Sequence, residues 1–463
     1  MSSVPQKIAI IGGGISGLTL AYRLHQKKTS DDIHLFEKSK DLGGIIQTEN
    51  RNGFVLEKGP DGFLQQKTTV RDLAKELGIE NELIATKTEN RRSLILQNNQ
   101  LIEVPDGFYL MSPSKIFPFL QSPLLSWKGK LRTLCEILIP PKKNNTEESL
   151  AAFVRRRFGR ENLEKISQAM LGGIYTADPE TLSMQAAMPR FVEMEKNHGS
   201  IMKGILKTMS SQENISGARY GLFGSFRDGM STLVEALQNK IPAGSFHTNT
   251  PVEKIHYDSQ TLKWKLYTNQ IEQNFDRVFF ALPPYQIANI FENLTENEKH
   301  VLQSIPYASS ALFHFGFKSS QIRSKPNAVG FIVPHKEHKH FIACSFISDK
   351  YENRAPAGFE LIRVFAGGAL QENLLQMPTT ELRSKIFQEV SKILDIQGEP
   401  ILEDFAAWPQ SMPQYTMGHL QRVEEIQNIF KKFPNVSLLG NAYKGVGIPD
   451  LIDRVQTTVN LLY

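Results

Sequence analysis

Short apolar runs and polar interruptions divide the 463-residue chain into stretches of different period. Residues 7–11 form an apolar run that ends in glycines, residues 15–25 repeat their apolar positions at helical spacing, and residues 33–37 form a second apolar run closed by an acid. The pattern predicts strand, helix, strand. From residue 91 to about residue 217 the spacing is mostly helical. Starts are expected at Thr146 and at Asp178-Pro179, where Asp can cap and Pro suits the first turn. Residues 251–256, 262–268 and 276–282 are strand-like runs separated by polar turns and ended by Pro283-Pro284, and they read as an antiparallel meander. Thr295-Glu296-Asn297-Glu298 has the form of a capping box. Runs at 309–317, 330–333, 341–346 and 360–365 then predict a second sheet, and residues 436–439, a loop from Gly440 and an amphipathic stretch from Ile448 return to strand, loop and helix.

A chain of this length folds as two or three units that each bury a core. Apolar residues at 40% and charged residues at 22% lie near soluble averages, so the whole chain is expected to fold. Cys135 and Cys344 stand alone, without a disulfide framework or zinc spacing, which favours a reducing compartment. No basic start with an apolar stretch marks a signal peptide, and no run approaches the roughly 18 apolar residues of a membrane span. A net charge of +5 suits anionic substrates or an anionic lipid surface and is too weak to indicate nucleic acid.

The first candidate chemistry is Gly12-Gly13-Gly14-Ile15-Ser16-Gly17, which follows the first strand and opens the first helix. Glycines at 12, 14 and 17 allow a tight turn, close approach of the backbone to a pyrophosphate, and helix-on-strand packing, while free N–H groups at the helix start attract phosphate. Glu37, twenty residues beyond Gly17, is placed for a ribose diol. Asp41-Leu42-Gly43-Gly44 and Glu57-Lys58-Gly59-Pro60-Asp61 then resemble the glycine doublet and Gly-Pro turn of the amine-oxidase-like flavoproteins, which selects FAD over NAD.

Within that superfamily the sequence resembles the porphyrinogen oxidases of haem biosynthesis, the protoporphyrinogen/coproporphyrinogen oxidase family. Four segments carry the resemblance: residues 153–161, residues 173–183, Met412-Pro-Gln-Tyr-Thr-Met-Gly-His419, and Gly440-Asn-Ala-Tyr-Lys-Gly-Val-Gly-Ile-Pro-Asp450. Asn441 stands where many flavoproteins have an acid, a departure the porphyrinogen oxidases share. The expected fold is α/β: a Rossmann-like FAD-binding domain from residues 1–88, 218–285 and 402–463, a mixed-sheet substrate domain at 286–401, and a mostly helical insertion at 89–217.

The resemblance implies non-covalent FAD touching Gly12 to Gly17, Glu37, Lys38, Gly44, Ile45, Lys58, Gly59, Pro60, Asp61, Val252, Trp408, Val446, Gly447 and Ile448. Trp408 would flank the isoalloxazine, although a core tryptophan at a domain seam would read the same way. The helix starting at Ile448 would point its N-terminus at the pyrimidine side of the ring. For substrate the resemblance implies a flexible apolar tetrapyrrole bearing carboxylates, lined by Gly172, Gly173, Ile332 and Phe365, with Arg91 and Arg92 near the carboxylate-binding position. Counting back from Val104-Pro105, that position falls on Ser93, and the two arginines also suit a solvated strand edge. Arg155, Arg156, Arg157 and Arg160 are expected on a solvated helix face.

No pair of acids, nucleophilic triad or metal cluster stands out, and a flavin needs none to accept hydride from a methylene bridge. The family implies three two-electron rounds, each closed by molecular oxygen with release of hydrogen peroxide. It leaves room for a homodimer in the cytoplasm and for peripheral contact with the inner face of the cytoplasmic membrane. Residues 111–139 mix Phe117, Phe119, Leu120, Leu124, Leu125 and Trp127 with Lys115, Lys128, Lys130 and Arg132, which suits either an interfacial segment or a lid packed on the helices. Two other functions share the N-terminal motifs: another flavin oxidase or desaturase acting on an amine or a polyene, and a binding protein that kept the fold without the flavin. The two porphyrinogens differ in two propionates against two vinyls, and the sequence leaves both open.

Overall fold

The computed structural model describes residues 5–27, 30–144, 146–210, 223–269 and 272–462. Its first layer is a five-stranded parallel sheet in the order Phe246–His247, Asp32–Phe36, Lys7–Ile11, Arg277–Phe280, Val436–Leu438. Parallel strands are buried on both faces, and successive residues alternate between them. Ile8 and Ile10 join a core under the helices Ile15–Gln26, Thr69–Leu77, Ser231–Asn239 and Ile448–Leu462. Ala9 and Ile11 join the core of the opposite face, with Trp264, Phe280, Phe291 and Phe430.

Strand Lys7–Ile11 has Asp32–Phe36 on one side and Arg277–Phe280 on the other. The strand order therefore reverses at its C-terminal end, where open α/β sheets leave a crevice. The predicted meander changes accordingly. Val252–Asp258, Lys263–Thr268 and Glu272–Phe275 form it, while Arg277–Phe280 enters the parallel sheet. Val278, Phe279 and Phe280 are all buried, so this run has no solvated face to present as a meander edge.

The second layer is a seven-stranded sheet in the order Leu402–Pro413, Tyr307–Lys318, Phe359–Gly367, Ala343–Phe346, Gly330–Ile332, Ser93–Gln97, Gln100–Glu103. Every neighbouring pair is antiparallel except Gly330–Ile332 with Ser93–Gln97. Ala311, Phe313, Phe331, Cys344, Ile362 and Val364 bury one face against Leu382, Ile386, Val390 and Leu394 of helix Thr379–Leu394. The other face looks toward the nucleotide-binding layer and the helices. Two stretches thus sit differently from the expected division. Ser93–Gln97 and Gln100–Glu103 are strands of this sheet and no part of a helical insertion, and Leu402–Pro413 is its edge strand.

The helical layer runs from Ile116–Gln121 to Ile201–Ser210 around Phe119, Phe153, Phe158, Ile166, Met184 and Phe191. The helix expected from Thr146 begins at Leu150, because Ser149 accepts the Ala152 N–H at 3.2 Å. Asp178-Pro179 starts a turn: Asp178 accepts the Glu180 N–H, and the next helix, Met184–Ala187, is capped by Ser183. The capping box at Thr295 and Glu298 is present. Arg156 and Arg157 leave the expected solvated face. Arg156 bridges Glu148 and Glu195, and Arg157 is sealed against Glu136, its Nε donating at 2.8 Å. Glu136 also accepts the first N–H groups of helix Ile201–Ser210, so the pair ties two helices together. The boundary expected at residue 217 lies outside the described residues.

Candidate active site

At the switch point the three motif glycines do different work. A Cβ on Gly12, which has φ +108°, would lie 2.5 Å from the Ala281 carbonyl oxygen, and one on Gly17 would collide with the Gly12 carbonyl. A Cβ on Gly14 would meet no heavy atom within 4 Å. Two glycines are thus required by packing, and the third faces the open side of the loop. Helix Ile15–Gln26 begins beneath it with no side-chain cap and no acid in the first turn, leaving its N–H groups for an anion. Glu37 reaches back to accept the Gly13 N–H at 2.8 Å and the Ser39 N–H at 2.9 Å. These features fit a dinucleotide: an uncapped helix start and an open glycine face for pyrophosphate, with a carboxylate at the end of the second strand for a ribose.

The glycine doublet stacks on this loop. Gly43 donates to the Gly13 carbonyl at 2.8 Å, and a Cβ on Gly44 would stand 3.2 Å from the Gly14 Cα. Ile45 stays exposed, and its carbonyl is so close to Gly59 that any side chain at 59 would collide with it. Segments 12–17, 43–46 and 58–61 therefore form one continuous backbone wall. Lys38 is exposed beside it, and Val252 opens the strand just after Thr250, whose N–H donates to the Glu37 carbonyl. Val446, Gly447 and Ile448 close the far end. Here Asp450 accepts the Gly447 N–H at 3.2 Å, which offsets part of the positive end of helix Ile448–Leu462. The motif around residues 412–419 meets this loop directly: Tyr415 stacks on His419 at 4.0 Å and donates its hydroxyl to the Asn441 carbonyl.

The wall is bolted to the seven-stranded sheet. Trp408 donates Nε1 to the Lys58 carbonyl, and Arg363 donates to the Gly59 carbonyl. Lys58 pairs with Glu49 at 2.8 Å and with Asp404, and Asp61 pairs with Lys350 at 2.7 Å. Burial opposes ionisation of Asp61, yet the Lys350 and Arg363 cations hold its carboxyl down at about 2. Burial also opposes ionisation of Asp404, which the contacting Lys58 ammonium nevertheless holds below the ordinary range. Glu57 has no such partner at contact distance among the described residues, and burial pushes its carboxyl up to about 7. His314, 3.4 Å from Asp404 without hydrogen-bond geometry, is pushed down to about 4 by burial and is neutral.

On the sheet face turned to this wall, one transverse row of paired residues runs Ile95, Ile332, Ala343, Phe365, Leu312, Ala406. Ile332, Ala343, Phe365 and Ala406 are partly exposed, making an apolar cleft wall. Ile332 and Val446 pack against the helical core that contains Leu171, Tyr175 and Tyr415, so the cleft is closed on its third side by helices. Gly172 and Gly173 lie in helix Gln168–Tyr175 but outside the residues whose surroundings are described. The two arginines separate. Arg92 is exposed and stands 3.7 Å from Glu103, whereas Arg91 is half-buried, its Nε sealed from solvent, and pairs with no carboxylate among the described residues. Ser93 is buried opposite Gly330.

Arg363, Asp404, His314 and Lys350 were not foreseen from sequence. The available signal was a lone charge inside an apolar strand, as in Phe359-Glu-Leu-Ile-Arg-Val-Phe365. A strand that buries a charge does so against a partner.

A dinucleotide site at the switch point, walled by a glycine doublet and a Gly-Pro turn and facing an apolar sheet, defines a flavin oxidoreductase. The chain belongs to the flavin-containing amine oxidoreductase family, which it matches over residues 15–452, and its cofactor is FAD. It is 30% identical over 467 residues to the coproporphyrinogen III oxidase of Bacillus subtilis (strain 168), covering 99% of this chain and 98% of that protein. It is likewise 30% identical to the coproporphyrinogen III oxidase of Staphylococcus aureus (strain NCTC 8325 / PS 47), covering 97% of each chain. A solved structure ascribed to a protoporphyrinogen oxidase of Exiguobacterium sp. 255-15 superposes with a TM-score of 0.88 at 25% identity over 99% of both chains.

Proposed function

We propose that this protein oxidises a porphyrinogen to the porphyrin, with coproporphyrinogen III as its first substrate and protoporphyrinogen IX as its second. The observation that carries the reading is the apolar row from Ile95 to Ala406, which faces the cofactor wall, with Arg91, paired to no carboxylate among the described residues, just before the strand that carries Ile95. A broad apolar face with a cation at its edge suits a macrocycle with carboxylate arms. Bound FAD supplies the hydride acceptor. Gly14 and the start of helix Ile15–Gln26 would hold its pyrophosphate, Glu37 its ribose, and Lys58 to Asp61, Trp408 and Val446 to Ile448 the ring. Ile332 and Phe365 hold the substrate against that ring, and the helices exclude water. Six electrons leaving in three pairs would be passed to three molecules of oxygen, released as hydrogen peroxide.

Aerobic turnover of the FAD-loaded protein with each porphyrinogen, followed by porphyrin fluorescence and peroxide, tests this. The expected result is porphyrin formation insensitive to EDTA, faster with coproporphyrinogen, with three peroxides per porphyrin. Porphyrin formation no faster than in buffer would overturn it.

We also propose peripheral contact with an anionic membrane. Among the described residues no helix is long and apolar enough to cross one. The stretch 111–139 instead divides: Phe119, Leu124 and Leu125 are buried in the helical core, while Phe117, Trp127, Leu131 and Leu138 are exposed at 71%, 72%, 66% and 79%. Such an apolar tip beside the exposed Lys128 suits an interface. Sedimentation with anionic vesicles should carry the wild type down and leave Phe117→Glu/Trp127→Glu in solution, and equal partitioning would remove the proposal.

A further inference from the structure

Arg363 is buried in the middle of strand Phe359–Gly367, with His314 and Ser345 as its cross-strand neighbours. A buried guanidinium is costly unless its charge and donors are met. The obvious counter-ion is Asp61, but Arg363 stands 3.6 Å from it, whereas Lys350 already donates to the same oxygen at 2.7 Å. Neutralising Asp61 falls first to the contacting Lys350, and Arg363 adds to it only from this longer distance. Among the described residues its hydrogen bond goes to the Gly59 carbonyl, and its Nε has no partner. Its flat face covers the Phe365 ring at 4.6 Å.

These contacts complete a path through the site. Gly14 touches Gly44, the Ile45 carbonyl abuts Gly59, Gly59 is held by Arg363, and Arg363 supports Phe365. The path starts at the loop that faces pyrophosphate and ends at the cleft wall. Trp408 pins the preceding carbonyl, so two successive peptide groups of the Gly-Pro turn are held by two strands of the substrate sheet. We propose that Arg363 is a positioning residue that locks the Gly59-Pro60 turn against the flavin and sets Phe365 at a fixed distance from it. The inference needs FAD binding only and is independent of which substrate the cleft accepts. Lysine cannot replace the fork: a single ammonium reaches one carbonyl but offers no plane for the Phe365 ring.

The test titrates FAD into apoprotein of the wild type, Arg363→Ala and Arg363→Lys, reading flavin fluorescence and the visible band of the bound form, with guanidinium added at sub-denaturing concentration. Arg363→Ala should bind FAD about ten- to a hundredfold more weakly, with a displaced visible band. Guanidinium should restore part of both, and Arg363→Lys should fall between the two. Thermal melting of the apoproteins separates this from general damage. Unchanged FAD affinity and band in both variants overturns the proposal, as does weakening that follows apoprotein stability and gains nothing from guanidinium. If the alanine variant does not fold, the lysine variant decides: a weaker, spectrally displaced FAD supports the role, and wild-type behaviour overturns it.

Discussion

The two sheets of this molecule build function in opposite ways. On the parallel sheet the proposed cofactor site is made of backbone: Gly12, Gly14 and Gly17 fall within six consecutive residues, and what matters is where a Cβ can and cannot go. On the seven-stranded sheet the cleft is made of side chains, brought into one row from residues 95 to 406 by strand register. Backbone sites tolerate no substitution but demand few residues. Side-chain rows tolerate single changes and depend on distant pairings.

The largest effect should therefore come from the glycines, and it should differ between them. Gly17→Val drives a side chain into the Gly12 carbonyl and should cost more than about 4 kcal/mol, enough to prevent folding. Gly14→Val enters open space, at a φ of −70° that valine adopts, and should melt like the wild type while retaining no FAD. Equal melting losses in both variants would erase the distinction between packing and cofactor glycines.

The second effect lies where the sheets meet. Glu57 is ionised in the unfolded chain above its ordinary value of 4.5 but stays protonated in the fold up to about 7. Its folded value is raised, so its contribution is full below 4.5 and is lost as pH rises through 7, a total on the order of 3 kcal/mol. Glu57→Gln cannot titrate. The stability difference between variant and wild type should shift in favour of the variant from pH 5 to pH 7.5 by urea unfolding. A difference independent of pH would mean that Arg354 and Arg363 keep the carboxylate charged.

A smaller effect is expected at the cleft rim. Arg91→Ala should lower kcat/KM about ten- to a hundredfold, mainly through KM, whereas Arg92→Ala, which loses only an exposed pair with Glu103, should change it less than about twofold. Similar losses in both would show that neither approaches the substrate directly.

The same contrast explains what the sequence disclosed. The phosphate loop, Glu37 and the capping box at Thr295 were readable because each is a local rule about backbone or the first turn of a helix, whereas the glycine doublet came from resemblance to the amine-oxidase-like flavoproteins. Ile332 and Phe365 were reached only through family resemblance, and their place in one row depends on registers that no local pattern encodes. Two misplacements did have a signal. Arg157 follows Phe153 by four and Val154 by three, so it shares their buried helix face, although the run of three arginines suggested a solvated one. Within strand Arg277–Phe280, Val278 to Phe280 are apolar at consecutive positions, the mark of a strand buried on both faces, and therefore suited the parallel sheet. Arg363, His314 and Asp404 share a row across three strands separated by some forty residues each, which only the folded sheet makes visible.

The central claim is that a porphyrinogen lies on the Phe365 row within reach of the flavin. Anaerobic rapid mixing of the yellow holoprotein with coproporphyrinogen III tests it most directly. The account predicts that the flavin bleaches in a single turnover before any oxygen is admitted, and that it bleaches more slowly in Phe365→Ala with FAD content unchanged. A flavin that stays oxidised in the presence of saturating porphyrinogen would contradict it.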